Sequence, residues 1–156
     1  MNMLRSQSAG KRSFIYHKIQ TPVPATADKL NEPDKPLGLL DCSTRPRCGF
    51  RGANVAAHLL ALGLPVPGKP NQATSSSTGE LVVRLSQHEF WVLSNLATAD
   101  QGFILLNERA LPASHCYPLY CQNSHAWFAI IGKPLAKLLA KVCGVDLRNE
   151  TFPVGA

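Results

Sequence analysis

Hydrophobic and polar positions along this chain follow two periods, one of strands and one of helices. Residues 125–131 (HAWFAII) form a run carrying aromatic and β-branched side chains, which predicts a strand buried on both faces. Gly132 breaks the run and Pro134 suits the first turn of a helix. Leu135, Leu138, Leu139 and Val142 then recur at i, i+3, i+4 and i+7, which predicts an amphipathic helix with Lys133, Lys137 and Lys141 on the opposite face. Gly144, just past the last periodic position, is the expected left-handed stop.

The stretch 48–63 (CGFRGANVAAHLLALG) reads as a second copy of this unit. At an offset of 80 residues Gly52 falls on Gly132, Phe50 on Ile130, Val55 on Leu135, Leu59 on Leu139 and Leu62 on Val142, while Gly63 and Gly144 stop the helices one residue apart. A true duplication would pack two half-domains around one sheet system, because neither helix can bury its apolar face alone. Between the copies, 64–78 is rich in Pro, Gly, Asn and Ser and predicts a long surface loop. Residues 80–86 and 89–94 predict a hairpin, with Val83 and Leu85 facing one way, and Phe90, Val92 and Ser94 alternating with Trp91 and Leu93 in a more buried second strand. Residues 44–51 suit a strand that Pro46 confines to an edge or a start. Residues 37–41 begin ordered structure, 102–106 form another short apolar run, and Pro112 and Pro118 interrupt 107–124. Residues 152–156 look like the approach to a further strand, so the second copy is expected to be trimmed or to belong to a longer chain.

Composition bounds the class. A chain of 156 residues with 45% hydrophobic and 17% charged residues suits one globular domain, and no apolar run approaches the ~20 residues of a membrane-spanning helix. The net charge of +6 sits largely in Arg5, Lys11, Arg12 and Lys18, before the first acid at Asp28. That placement, without a basic face interleaved with aromatics, argues against nucleic-acid binding. Residues 1–36, basic and then proline-punctuated by Pro22, Pro24, Pro33 and Pro36, read as a flexible arm, and 37–156 as the domain. Cys42, Cys48, Cys116, Cys121 and Cys143 occur without an apolar leader segment and are expected as free thiols in a reducing compartment.

Candidate chemistry is sparse. His115, Cys116, Cys121 and His125 offer ligands that zinc accepts, but adjacent His and Cys side chains diverge in an extended segment and the spacing matches no paired knuckle. Buried thiols and a hydrogen-bonded histidine are the preferred reading. Cys116 or Cys121 with His125 as base could make a nucleophile only if the fold brought them together. Gly49, Gly52 and Gly63 form no phosphate-cradling motif, and no carboxylate pair is spaced for acid–base work. His58, beside the apolar face of the first helix, is expected to be hydrogen-bonded at the edge of the core. No catalytic, cofactor-binding or metal residue is therefore assigned.

Two stretches carry a family resemblance. Residues 117–156 (YPLYCQNSHAWFAIIGKPLAKLLAKVCGVDLRNETFPVGA) resemble the C-terminal half of the gamma subunit of heterotetrameric sarcosine oxidase, most specifically at Ser124-His125-Ala126-Trp127, Cys143-Gly144-Val145-Asp146-Leu147 and Phe152-Pro153-x-Gly155. Residues 41–71 resemble that family's N-terminal half, with an Arg-x-Gly-x-x-Gly turn at 47–52 and a Leu-Gly-Leu-Pro helix end at 62–65. The resemblance implies an α+β fold of duplicated half-domains, with mixed or antiparallel sheets and amphipathic helices, similar to the folate-binding domain of the glycine-cleavage T-protein. It implies a non-catalytic small subunit of a cytoplasmic complex that demethylates sarcosine oxidatively to glycine. FAD, FMN, NAD, zinc and tetrahydrofolate would sit on the other subunits, with alpha as the direct partner and beta and delta completing the complex. This chain departs from the family pattern at 121–125, where Cys121-Gln122-Asn123-Ser124-His125 replaces Arg-Gln-Asp-Ser-His and removes both members of an ion pair. A threonine-containing strand that follows Phe-Pro-x-Gly in the family is absent from this sequence. The rival reading is a stand-alone folate-binding or aminomethyltransferase-like protein, for which Glu89, Trp91 and Trp127 are the candidate pterin contacts.

Overall fold

A computed structural model of the chain describes residues 13, 15, 38–97, 114–132, 135–148, 150–153 and 155. The apolar run at 102–106, the irregular 107–113, Leu37, Lys133, Pro134 and all of the arm except Ser13 and Ile15 lie outside these residues. Among the described residues nine elements follow in order: β1 (Gly38–Asp41), β2 (Arg47–Arg51), α1 (Val55–Ala61), β3 (Gln72–Ser75), β4 (Leu81–Arg84), β5 (Glu89–Leu93), β6 (Tyr117–Leu119), β7 (Phe128–Ile131) and α2 (Leu135–Leu139). β3, β4, β5, β2 and β6 make a five-stranded antiparallel sheet in that order, and β1 pairs antiparallel with β7 in a separate two-stranded sheet.

The core lies on one face of the larger sheet. Cys48 and Phe50 on β2, Val82 on β4, and Phe90 and Val92 on β5 meet Val55 and Leu59 of α1, with Leu64 and Cys116 closing the cluster. α1 lies against this face because Val55 and Leu59, one turn apart, are its fully buried residues. Its end is a Schellman turn: Gly63, at φ 79°, donates its N–H to Leu60 O (2.9 Å), and Leu64 N–H donates to Leu59 O (3.0 Å). The expected stop at Gly63 is formed, whereas Gly144 does not adopt a left-handed φ.

β4 and β5 form the expected hairpin, with Val82 opposite Val92. The buried residue of β4 is Val82 rather than Val83, while Leu85 falls beyond the strand and is exposed. The core face of β5 selects the partner across the ladder, and that partner is one position off the alternation expected from the sequence. The expected loop at 64–78 contains a strand, β3, whose short polar run QATS carries no apolar signal and is held by its pairing to β4. Pro118 lies in β6, an edge strand of the sheet, where a missing donor is tolerated. At the C-terminus no strand forms among the described residues of 152–156; Gly155 O accepts from Ala73 N of β3 at 3.1 Å.

The second strand–glycine–helix unit is more open than expected. β7 is not buried on both faces: Phe128 is 38% exposed, and Ile131 is exposed at the far end. Among the described residues β1 is the one strand paired with β7, and the faces of this ribbon stay partly uncovered. α2 ends at Leu139, none of its described residues is fully buried, and Val142 is 78% exposed. Lys137 and Lys141 are exposed, as the pattern requires.

Candidate functional site

Polar groups gather on the face of the larger sheet opposite the core. Because residues that pair across a ladder share a face, Arg47, Gly49, Arg51, Leu93, Trp91, Glu89, Leu119 and Tyr117 all lie there. Gly49 is required for this surface. A Cβ at that position would come within 3.1 Å of both Leu119 Cβ and Trp91 Cδ1, so the missing side chain lets the Trp91 ring lie against β2. The His125 ring meets Trp91 edge-on at a centroid distance of 5.1 Å, and Trp91 Nε1 is buried without an acceptor. Glu89 is engaged by Arg51, which donates from Nη2 at 2.5 Å and from Nε at 3.0 Å.

Arg47 is the one buried cation among the described residues. Its Nε donates to Cys121 O (3.0 Å), and its Nη2 donates to Gln122 O (2.7 Å) and to His125 O. Around it, Gln122 acts as a substitute strand residue, accepting from Arg47 N (3.0 Å) and donating to Arg45 O (2.9 Å) where β6 has ended. A guanidinium satisfied by carbonyls alone fixes the turn before β7 onto β2. The site is a structural clamp. Sequence reasoning missed Arg47, since nothing in the residues around it signals that three main-chain oxygens will curl about its fork.

The four residues weighed as zinc ligands serve separate structural roles. Cys116 joins the core, and Cys121 is buried. His115, at φ 55°, accepts from Asn54 N at 3.2 Å through its carbonyl, and His125 Nδ1 contacts Ser124 Oγ at 2.8 Å. Among the described residues no three His, Cys, Asp or Glu side chains are grouped to hold a metal ion. Burial pushes the Cys116 thiol up. It also pushes up the Cys121 thiol, against the partial opposition of Arg47, and the Cys42 thiol. Cys48 is pushed up to about 12 by burial and by its neighbour Cys121. These thiols are disfavoured as thiolates and are poor nucleophiles. His58, expected to be hydrogen-bonded, instead has Nε2 buried with no partner and its ring edge-on to Phe50 at 5.5 Å.

Asp41 and Glu80 serve turns. Burial alone would raise the Asp41 carboxyl, but hydrogen bonds from Ser13 and from the side chain and N–H of Ser43 hold it below its usual value. Ser43 in turn accepts from Trp127 N at 3.0 Å, joining the β1 turn to the start of β7. Burial likewise acts to raise Glu80, and the hydroxyls of Ser76 and Thr78 outweigh it.

No protein-family model matches the chain, and no curated protein matches it in sequence. Among solved structures, the heterotetrameric sarcosine oxidase from Corynebacterium sp. U-96 in complex with pyrrole 2-carboxylate contains a similar chain, with a TM-score of 0.58 and 21% identity over 74% of this chain. That likeness shows a shared fold. The glycine cleavage system aminomethyltransferase T from Bartonella henselae is a more distant neighbour, at a TM-score of 0.49 and 22% identity over 67% of this chain. The chain spans 60% of the oxidase chain's length and 31% of the aminomethyltransferase's. Among the described residues no helix is long and apolar enough to cross a membrane.

Proposed function

We propose that this chain is a non-catalytic docking subunit, of the gamma type, in a heterotetrameric sarcosine oxidase that demethylates sarcosine oxidatively to glycine. The observation that carries this reading is the fold shared with a chain of such an oxidase over 74% of the sequence. The chemistry of the described residues supports it, because the buried thiols are held protonated and Asp41, Glu80, Glu89 and Asp146 are committed to local bonds. On this reading the alpha subunit is the direct partner, beta and delta complete the assembly, and FAD, FMN, NAD, tetrahydrofolate and zinc are held by those chains. Residues 37–156 form the docking domain, and 1–36 are its basic arm.

The reading includes the duplication, with 48–63 and 125–144 as two copies of one unit. Gly52 and Gly132 share a φ of 144°, and their carbonyls accept from Val55 N at 3.4 Å and Leu135 N at 3.2 Å respectively. The leading strands are exchanged: β1, which precedes β2, pairs with β7, and β6, which precedes β7, pairs with β2. Such an exchange is what a two-fold relation between copies would produce.

Co-expression with alpha, beta and delta chains tests the proposal. The chain is expected to co-elute with alpha, and sarcosine-dependent peroxide release to come from the assembly and not from the isolated chain. A chain that elutes alone beside an assembled, active oxidase would reject it. Folate binding by this chain fits less well, because Arg51 already engages Glu89 and Trp91 is packed against Gly49. Tetrahydrofolate titrated against tryptophan fluorescence should give no saturable quenching.

A further inference from the structure

The two units differ in what covers them. In the first, α1 is sealed by a sheet in which β5 occupies the second edge of β2 and supplies Phe90 and Val92. In the second, no strand among the described residues occupies the second edge of β7. Position by position, burial is lost: Cys48 and Phe50 are buried but Phe128 and Ile130 are not; Val55 and Leu59 are fully buried but Leu135 and Leu139 are only half so; Leu62 packs on the core but Val142 is in solvent. Beyond α2, Gly155 is bonded to β3 of the other sheet rather than to β7.

We infer that the open edge of β7 is completed in trans by an antiparallel strand of a partner subunit, with branched or aromatic residues at alternate positions and an acidic flank. The side-chain pattern follows from β5, the strand that fills the corresponding place beside β2. The acidic flank follows from charge: Lys137 and Lys141 are exposed on or beside α2 with no carboxylate in its first turn, and Asp146 is bound by Arg148 at 2.7 Å. The backbone is set for such a strand. Trp127 directs its C=O to Cys42 N (2.8 Å) and its N–H to Ser43 Oγ (3.0 Å), both on the β1 side. By antiparallel alternation Phe128 and Ile130 therefore direct their backbone groups to the open edge. This inference rests on the reading of the chain as a subunit.

A fluorescein-labelled peptide with the sequence of residues 87–94 (QHEFWVLS), which carries β5 and its Glu89, is the probe. Titrated with the full chain, it should show saturable polarisation. Ile130→Pro removes one edge donor without touching the β1 ladder and should weaken binding roughly tenfold or more. Lys137→Glu with Lys141→Glu, both at exposed positions, should weaken it in the same direction and keeps the test decidable if the proline variant fails to fold. Absent saturation, or binding that neither variant changes, overturns the inference. So does slow exchange of the Ile130 amide in the free chain, which would mean that a segment of this chain already covers the edge. A dimer by light scattering that Ile130→Pro dissociates would assign the edge to a second copy and equally overturn it. No peptide binding with retained co-purification removes the strand and keeps the subunit reading; binding without co-purification does the reverse.

Discussion

A Cβ on Gly52 would lie 2.0 Å from the carbonyl oxygen of His115, at a φ of 144° that side chains rarely adopt. Gly52→Ala should therefore lower stability by at least ~3 kcal/mol, seen as a shifted urea midpoint, since both backbone strain and a main-chain clash must be relieved. Arg47→Met should cost about 3 kcal/mol by the same measurement, because the carbonyls of Cys121, Gln122 and His125 lose their donor in a closed site. Cys48 makes an alkaline prediction. Its folded value, about 12, lies above the ordinary 9.0, so the stability it contributes is complete below pH 9.0 and is lost as pH rises toward 12. Urea midpoints should fall over that interval, and less steeply in Cys48→Ala. Gly52, Gly63 and Gly132 were readable from sequence as punctuation beside apolar runs, whereas the stop expected at Gly144 is not formed. The roles of Arg47 and of the unpartnered His58 ring were not readable, since both depend on which distant oxygens and rings the fold brings near.

The strand–glycine–helix order of both units is legible in the spacing of apolar residues, and the hairpin in its alternation. Their burial is not, because it depends on what lies opposite rather than on the element itself. Leu59 and Leu139 hold corresponding places in α1 and α2, yet Leu59 is fully enclosed and Leu139 only in part. Leu59→Ala should cost ~3 kcal/mol and Leu139→Ala about 1 in the isolated chain, read from chemical unfolding of the two variants side by side. β3 shows the opposite failure, a strand with no hydrophobic signal of its own that exists because β4 presents an edge to it.

At the scale of the molecule the two sheets differ in cooperativity. The five-stranded sheet has a helix on its core face, whereas the β1–β7 ribbon is open enough to leave Leu39 62% exposed. Amides at Ala129 and Ile131 should exchange with deuterium well before those of Phe50 and Val92, because the ribbon opens at lower free energy than the sheet. The mixture of antiparallel strands with short helices could be anticipated in part from the apolar periods. The split into two sheets could not, since the pairing of β1 with β7 spans most of the described chain. That exchange of strands has a mechanical consequence. The N-terminal part lends β1 to the far ribbon, the C-terminal part lends β6 to the near sheet, and Arg47 grips the turn between. A protease cut within 98–113 would leave two pieces, each holding a strand the other needs. The severed protein should stay together in solution like clasped hands, and either piece made alone should be without shape.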